Sequence, residues 1–100
     1  MQSIDLKVAM DTPMPEAQAQ ILGRIESRMR SVQFAGRADG DAVTFRPKFI
    51  GLPTVWLIRR LLGEHVTLTF EQQGPVTEVR ATGKLRPRAH AEVTEAFGGD

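Results

Sequence analysis

The sequence predicts an α+β fold, a two-layer sandwich of about five mostly antiparallel strands with helices on one face. The N-terminal stretch alternates apolar and polar residues, and two later stretches each hold two alternating runs joined by a glycine-bearing turn. Two further stretches place apolar residues at helical spacing, and such helices can cover strands with a single apolar face. The expected order is β-α-β-β-(short α)-β-β-α, in a single domain spanning residues 1–100.

The composition is that of an ordinary globular chain. Of 100 residues, 41% are hydrophobic and 25% are charged, which argues against a disordered chain. The chain has no cysteine, so disulfide frameworks, thiolate metal sites and thiol enzymes are excluded. The N-terminus lacks the basic and apolar regions of a secretory signal. We therefore expect a cytoplasmic protein, with peripheral attachment to a membrane as the alternative.

The first strand and the first helix follow one another directly. The strand is predicted from the alternation of Ile4, Leu6, Val8 and Met10. In the following DTPMPE, either Asp11 or Thr12 is expected to cap a helix. A proline suits the first turn of that helix because its missing N–H has no intrahelical partner there. The predicted apolar face of the helix comprises Ile21, Leu22, Ile25, Met29 and Val32.

Two hairpins are predicted from their turns. A type I′ turn at Asp39-Gly40 would place Phe34 opposite Phe45, with both rings on the inner face. A turn at Gln73-Gly74 would pair Leu68 with Val79. The predicted inner face of the second hairpin comprises Val66, Leu68, Phe70, Val79 and Ala81.

A terminal helix is predicted from Pro87 to the Gly98-Gly99 pair, which is typical of a helix end. Its apolar positions are Ala89, Val93, Ala96 and Phe97.

Between the hairpins lies RPKFIGLPTVWLIRRLLGEH, residues 46–65, which holds the only tryptophan, Trp56. Only fifteen residues separate Lys48 from Glu64, and two arginines lie among them. A spanning helix needs about twenty predominantly apolar residues. The sequence therefore argues against a transmembrane helix and favours a short helix that begins near Pro53.

This segment has two interpretations. In the first, an apolar stripe joins the core and caps the edge or end of the sheet; the stripe comprises Leu57, Ile58, Leu61 and Leu62. In the second, the segment projects and presents an apolar patch with a basic rim to another subunit or to an anionic membrane surface. The patch comprises Phe49, Ile50, Leu52 and Trp56, and the rim comprises Arg46, Lys48, Arg59 and Arg60. We do not expect a nucleic-acid partner, because one tryptophan with four basic residues is a weak footprint.

The layout also resembles that of small uncharacterised bacterial membrane-associated α+β proteins. The resemblance rests on DGDAVTF at 39–45, on Pro53 to Leu62, and on VTLTF at 66–70 followed by Gly74 and residues 76–80. In that group, a strand–helix–strand half and a strand–strand–helix half flank a central pair of apolar segments. This chain has one short arginine-bearing segment there. The resemblance implies contact with a membrane or a membrane protein, without spanning, and it carries over no site residues.

No catalytic motif is recognisable in the sequence. His65 and His90 are isolated along the chain, and we interpret both as structural or surface residues. No serine elbow, phosphate-binding loop or dinucleotide glycine pattern is present. We therefore expect no catalytic residue, no cofactor and no metal, and a non-enzymatic protein rather than an enzyme.

The expected function is a protein-interaction domain that self-associates, most simply as a dimer. The interaction would involve residues 49–62 or an unpaired strand edge. One alternative is a peripheral membrane or membrane-protein adaptor that uses Trp56, Arg59 and Arg60. A further alternative is a small-molecule binder or enzyme with a pocket between sheet and helices, lined by Phe34, Phe45 and Phe70.

Overall fold

The strands of the sheet lie in the order β1-β5-β4-β3-β2, and each is antiparallel to its neighbour. The structure is a computed structural model that describes residues 2–48, 54, 57–58 and 61–98. Over these residues the elements are β1 (Gln2–Met10), α1 (Met14–Ser31), β2 (Phe34–Asp39), β3 (Ala42–Pro47), β4 (His65–Gln73), β5 (Val76–Leu85) and α2 (Pro87–Gly98). The predicted α+β fold with an antiparallel sheet is confirmed.

The first two strands of the chain lie at opposite edges of the sheet. Helix α1 makes the connection between them and crosses the sheet, contacting β2, β4, β5 and α2. Helix α2 packs beside α1 and covers β1 and β5. One face of the sheet is thereby covered by two helices, and the other face carries mostly polar side chains.

The core lies between the sheet and the helices. Every second residue of each strand faces inward, because successive side chains of a strand point to opposite faces. The predicted inner face of the second hairpin and the predicted buried face of α2 are confirmed. The largest buried apolar residues are Ile4, Ile21, Ile25, Met29, Phe34, Phe45, Val66, Leu68, Phe70, Val79, Leu85, Val93 and Phe97.

Both hairpin turns lie one residue beyond their predicted positions. Asp39 pairs with Ala42 and Gln73 pairs with Val76, so the turn residues are Gly40-Asp41 and Gly74-Pro75. Each glycine has a φ of +62° and stands at the first turn position. Among the described non-glycine residues only Gln33 has a positive φ, so these are type II′ turns, not the predicted type I′.

The shift changes the partners but not the faces. Phe34 pairs with Pro47 instead of Phe45, and Leu68 pairs with Ala81 instead of Val79. Moving a turn by one residue displaces the pairing by two, so the alternation of inward and outward side chains is preserved. Phe45 instead lies opposite Gly36, where a Cβ would stand 2.6 Å from the Phe45 ring.

The predicted cap of α1 is wrong. The helix begins at Met14 with Pro13 at the N-cap, and no side chain of its own first turn caps it. The Oγ1 atom of Thr12 is buried without a hydrogen-bond partner, while the Thr12 carbonyl accepts a 2.9 Å bond from Thr77 Oγ1. Gln72 Oε1 accepts a bond from the Met14 amide at 3.4 Å. The neighbouring strands thus replace the local cap.

Candidate interaction site

The connecting segment, residues 48–64, joins β3 to β4 at one end of the sheet. At the same end α1 finishes, β2 starts, and β5 leads into α2. The Lys48 amide donates a 2.7 Å hydrogen bond to the Gln33 carbonyl, which extends the β2–β3 pairing to the start of the segment. Of the segment's interior, Thr54, Leu57, Ile58 and Leu61 are helical, and the Leu62 amide donates to the Ile58 carbonyl at 3.0 Å.

Most of the predicted interaction residues lie outside the described residues. These are Phe49, Ile50, Leu52, Trp56, Arg59 and Arg60. Two predicted rim residues are described: Arg46 on the polar side of β3, and Lys48 directly after that strand. Both are exposed. The predicted patch therefore stays a prediction, and of its basic rim the structure describes only Arg46 and Lys48.

The apolar stripe is exposed, so the interpretation that makes it part of the core is wrong. Leu57 is 50% exposed, Ile58 53%, Leu61 78% and Leu62 54%. Among the described residues, these four are the only large hydrophobic side chains that are exposed. The core cluster, in which the sheet and helices bury one another, includes none of these four residues. Complete burial of a leucine or isoleucine side chain contributes about 1.5–3 kcal/mol of free energy. In the single chain, the exposed stripe lacks much of this contribution.

Glu64 anchors the end of the connecting segment. Its side chain is buried, and Oε2 accepts a 3.1 Å hydrogen bond from the Arg86 amide and a 3.3 Å bond from Arg86 Nε. Arg86 immediately precedes α2, so the Glu64 carboxylate lies where the first amides of a helix have no intrahelical acceptor. Gly63, with a φ of +71°, directs the chain into this position, and its carbonyl lies 2.6 Å from His65 Nδ1.

Sequence reasoning did not identify Glu64, and little in the sequence distinguishes it. A buried acid needs a donor, and here the donor lies 22 residues along the chain. Only the pairing of β4 with β5 brings His65 beside Lys84 and so sets Glu64 beside Arg86. The one available cue is an acid placed directly before an alternating strand, which is too common to select a site.

A groove of about 480 Å³ opens beside Glu64, between the end of α1 and the start of α2. It is lined by Val32, Gln33, Glu64 and residues 86–89. The carboxylate already accepts two bonds from Arg86, which makes it a structural acceptor rather than a free base. Over the part of the chain that the structure describes, no three histidines or acids converge as metal ligands would.

Where the alternative function would need a pocket between sheet and helices, side chains fill the space. Phe34, Phe45 and Phe70 are between 1% and 5% exposed and belong to the core cluster. They pack against other apolar side chains of the core, and the depression of about 210 Å³ that Phe34 and Phe45 also line is open to the surface.

Charges on the polar face of the sheet are paired on the β1 side. Arg80 donates two 3.0 Å hydrogen bonds to Asp5, and Lys7 lies 3.8 Å from Glu78. The hydrogen bonds from Arg80 lower the pKa of the Asp5 carboxyl, and those to Asp5 raise the pKa of Arg80. At the centre of the face, the hydroxyls of Thr44 and Thr67 lie 3.1 Å apart.

The chain matches no protein-family model, no curated protein and no solved structure. The resemblance to membrane-associated proteins therefore stays a prediction. None of the helices within the described residues has the length and apolar character needed to cross a membrane.

Proposed function

We propose that the protein is a non-enzymatic interaction module that self-associates as a dimer through the connecting segment. The observation that supports this is the exposure of the whole apolar stripe. Exposed large hydrophobic side chains are ordinary when scattered singly, but a group of four within six residues is typical of an interaction surface.

The spacing of the stripe supports a contact between two copies. Leu57 and Leu61 are four residues apart, as are Ile58 and Leu62, so the four side chains form two adjacent rows along one helical face. A two-fold axis would set this face against itself, because the dimer contact with that symmetry uses the same surface on both copies. A second copy of the chain would then bury both rows, and no partner of different sequence is needed.

The firm attachment of the segment's end supports the same role. Glu64 ties the last residue of the segment to the start of α2, and Lys48 ties its first residue to Gln33. Both ends are held in the frame of the sheet, so association through the segment loses less conformational entropy than association through a free tail.

The experiment is light scattering combined with size-exclusion chromatography over a range of protein concentrations. We expect a dimer, and we expect the double variant Leu57→Asp/Leu61→Asp to be a monomer, because two carboxylates would have to be buried in the contact. Ala91→Asp, which adds one carboxylate at an exposed position on α2, is the control and should remain dimeric. A wild-type protein that is monomeric at every concentration would contradict the proposal.

A second candidate function is attachment to an anionic membrane surface, because two exposed cations precede the exposed stripe along the chain. Arg46 and Lys48 precede the stripe and neither forms an ion pair among the described residues. Apolar side chains beside basic ones suit the interface of a bilayer that carries anionic lipids.

Sedimentation with phosphatidylserine vesicles tests this second function. Binding should weaken as the salt concentration rises and on Arg46→Glu/Lys48→Glu, and in a second variant on Arg59→Glu/Arg60→Glu. Phosphatidylcholine vesicles are the neutral control. Absence of binding to phosphatidylserine at low ionic strength would rule this function out.

A further inference from the structure

A depression of about 680 Å³ lies on the polar side of strands β2 and β3. Ala35 pairs with Arg46 and Arg37 pairs with Thr44, so these four residues occupy the corners of one square on the polar face. All four line the depression, together with Gly36, Ala38 and Pro47. Alanine has the shortest side chain of the four corners, so the space opens above Ala35 and between the longer side chains of the other three.

The two arginines stand at opposite corners of this square. Cβ atoms of such diagonal neighbours are about 7 Å apart, so the guanidinium groups of Arg37 and Arg46 can both reach a group that lies over Ala35. Both side chains are exposed, and neither forms an ion pair with a described residue. The described residues that line the depression include no acid. This part of the chain therefore holds two positive charges near each other without a negative charge between them.

The β1 side of the same face shows a different arrangement, because each cation there has an acidic partner. Arg80 lies 3.0 Å from Asp5, and Lys7 lies 3.8 Å from Glu78. Like charges at neighbouring positions of a sheet repel each other. An anion above Ala35 would offset this repulsion on the β2 side.

Thr44 adds a neutral hydrogen-bond donor at the same place. Its Oγ1 lies 3.1 Å from Thr67 Oγ1, and either hydroxyl can be the donor. When Thr67 donates to Thr44, the Thr44 proton is available to an oxygen atom in the depression. The depression thus combines two guanidinium groups, which suit the oxygens of phosphate and carboxylate groups, with one hydroxyl.

We propose that this depression, the Ala35 site, binds the phosphate group of a phosphate monoester. That group carries a charge of about −1.5 to −2 at neutral pH, which two arginines can balance, and its terminal oxygens can accept from both guanidinium groups and from Thr44. A carboxylate has less charge and fewer oxygens, so it should bind more weakly. The phosphate can belong to a soluble metabolite or to a lipid headgroup. This inference is independent of self-association through the connecting segment.

The first probe is inorganic phosphate, titrated at constant ionic strength and followed by the amide NMR signals of the full chain. We expect saturable shifts at Ala35, Arg37, Thr44 and Arg46. Arg37→Gln and Arg46→Gln should each weaken binding about tenfold, because each removes charge-assisted hydrogen bonds. The matched control is Arg24→Gln, which removes the same charge from an exposed position on α1, and it should bind as the wild type does.

A second set of variants separates a site from simple charge attraction. Ala35→Leu fills the space but keeps both arginines, and it should abolish saturable binding. Ala35→Ser leaves the space open and should retain binding; the position is exposed, so both variants should fold. Acetate at the same ionic strength should bind at least about tenfold more weakly than phosphate. Absence of saturable shifts, unchanged binding in Ala35→Leu, or equal binding of acetate overturns the proposal.

Two further probes distinguish the sources of the phosphate. Binding of glycerol 3-phosphate, lost in Ala35→Leu, assigns a soluble ligand. Sedimentation with phosphatidic acid vesicles, reduced in Ala35→Leu while sedimentation with phosphatidylserine vesicles is unchanged, assigns a lipid headgroup, because only phosphatidic acid carries a phosphate monoester. Either result supports the Ala35 site, and binding to neither probe overturns it.

Discussion

Gly83 stands at a position where the backbone of a neighbouring strand leaves no space for a side chain. It lies in β5 with a φ of +152°, between Ile4 of β1 and Val66 of β4. A Cβ at this position would collide with the carbonyl oxygen of His65. The close approach of β4 and β5 beside the end of the connecting segment thus depends on the absence of one methyl group.

We expect Gly83→Ala to destabilise the fold by about 1–3 kcal/mol, because the backbone must move to relieve both the contact and the unfavourable φ. The matched control is Gly23→Ala on the exposed side of α1, where nothing lies within 4 Å of the new Cβ. That change should stabilise the protein by about 0.5–1 kcal/mol through helix propensity. Urea denaturation of both variants measures the difference, and equal effects of the same sign would contradict this account.

Asp5 and Arg80 form the best-oriented ion pair on the polar face. The guanidinium donates to both carboxylate oxygens, which lowers the pKa of Asp5. A lowered folded-state pKa contributes stability above the unfolded pKa, and that stability is lost as the pH falls through the folded value. The ion pair therefore stops contributing to the stability of the fold only at acidic pH.

In an NMR titration, Arg80→Gln should raise the pKa of Asp5 toward its ordinary value, because the variant loses the two charge-assisted bonds. Lys7→Gln is the control: Lys7 lowers the pKa of Asp5 by charge alone and less than Arg80 does. A larger rise in Lys7→Gln than in Arg80→Gln would show that the hydrogen bonds are not the main cause.

Among the elements, α2 depends on a residue far from it in the sequence. Glu64, at the end of the connecting segment, holds the residue that precedes the helix. The helix itself has no acid in its first turn to complement the helix dipole. The start of α2 and the end of the connecting segment are therefore one structural unit.

Glu64→Ala should lower the free energy of unfolding by about 1–3 kcal/mol, because the amide and guanidinium of Arg86 lose their buried acceptor. It should also speed hydrogen exchange in the first turn of α2. Glu95→Ala is the matched control, since Glu95 accepts a 2.8 Å bond from Arg28 but is exposed, and it should cost less than about 0.5 kcal/mol. Equal losses in the two variants would contradict the assignment of Glu64 as a cap.

The inward faces of the strands and helices could be predicted because alternation and helical spacing are properties of neighbouring residues. The turns could be predicted only to within one residue. Asp39-Gly40 and Gly40-Asp41 both suit a two-residue loop, and both keep Phe34 and Phe45 inward. The start of α1 could not be predicted, because the amide of its first residue, Met14, donates to the side chain of Gln72 in β4.

The candidate site could be predicted only in outline. The dense apolar run marks the segment, and its two arginines argue against a membrane span. Whether Leu57, Ile58, Leu61 and Leu62 enter the core depends on how much space the helices leave, which is a property of the assembled layers. The role of Glu64 could not be predicted either, because its hydrogen-bond donor, Arg86, is brought beside it only by the pairing of β5 with β4.

Considered as a whole, the part of the molecule that the structure describes contains two groups of large apolar residues. One group fills the space between sheet and helices, and the other, the apolar stripe, lies exposed outside it. The stability of the isolated chain should depend on the first group alone.

Leu68→Ala should therefore cost about 2–5 kcal/mol, because it opens a cavity in the core. Leu61→Ala removes the same atoms from a side chain that is 78% exposed, and it should cost less than about 0.5 kcal/mol. Denaturation at protein concentrations too low for association measures both. A large loss for Leu61→Ala would show that the stripe supports the fold of its own chain.

The order of the strands has a consequence for the newly made chain. Gln2 pairs with Leu85 and Met10 with Thr77, so β1 is synthesised before the other described strands but has no partner strand until β5 has left the ribosome. The β2–β3 hairpin is local and can close long before that. Until then, the apolar face of β1 lacks its partner strand on the nascent chain, and apolar surface exposed in this way favours aggregation. Of the five described strands, the last one made is the one that joins β1 to the rest of the sheet.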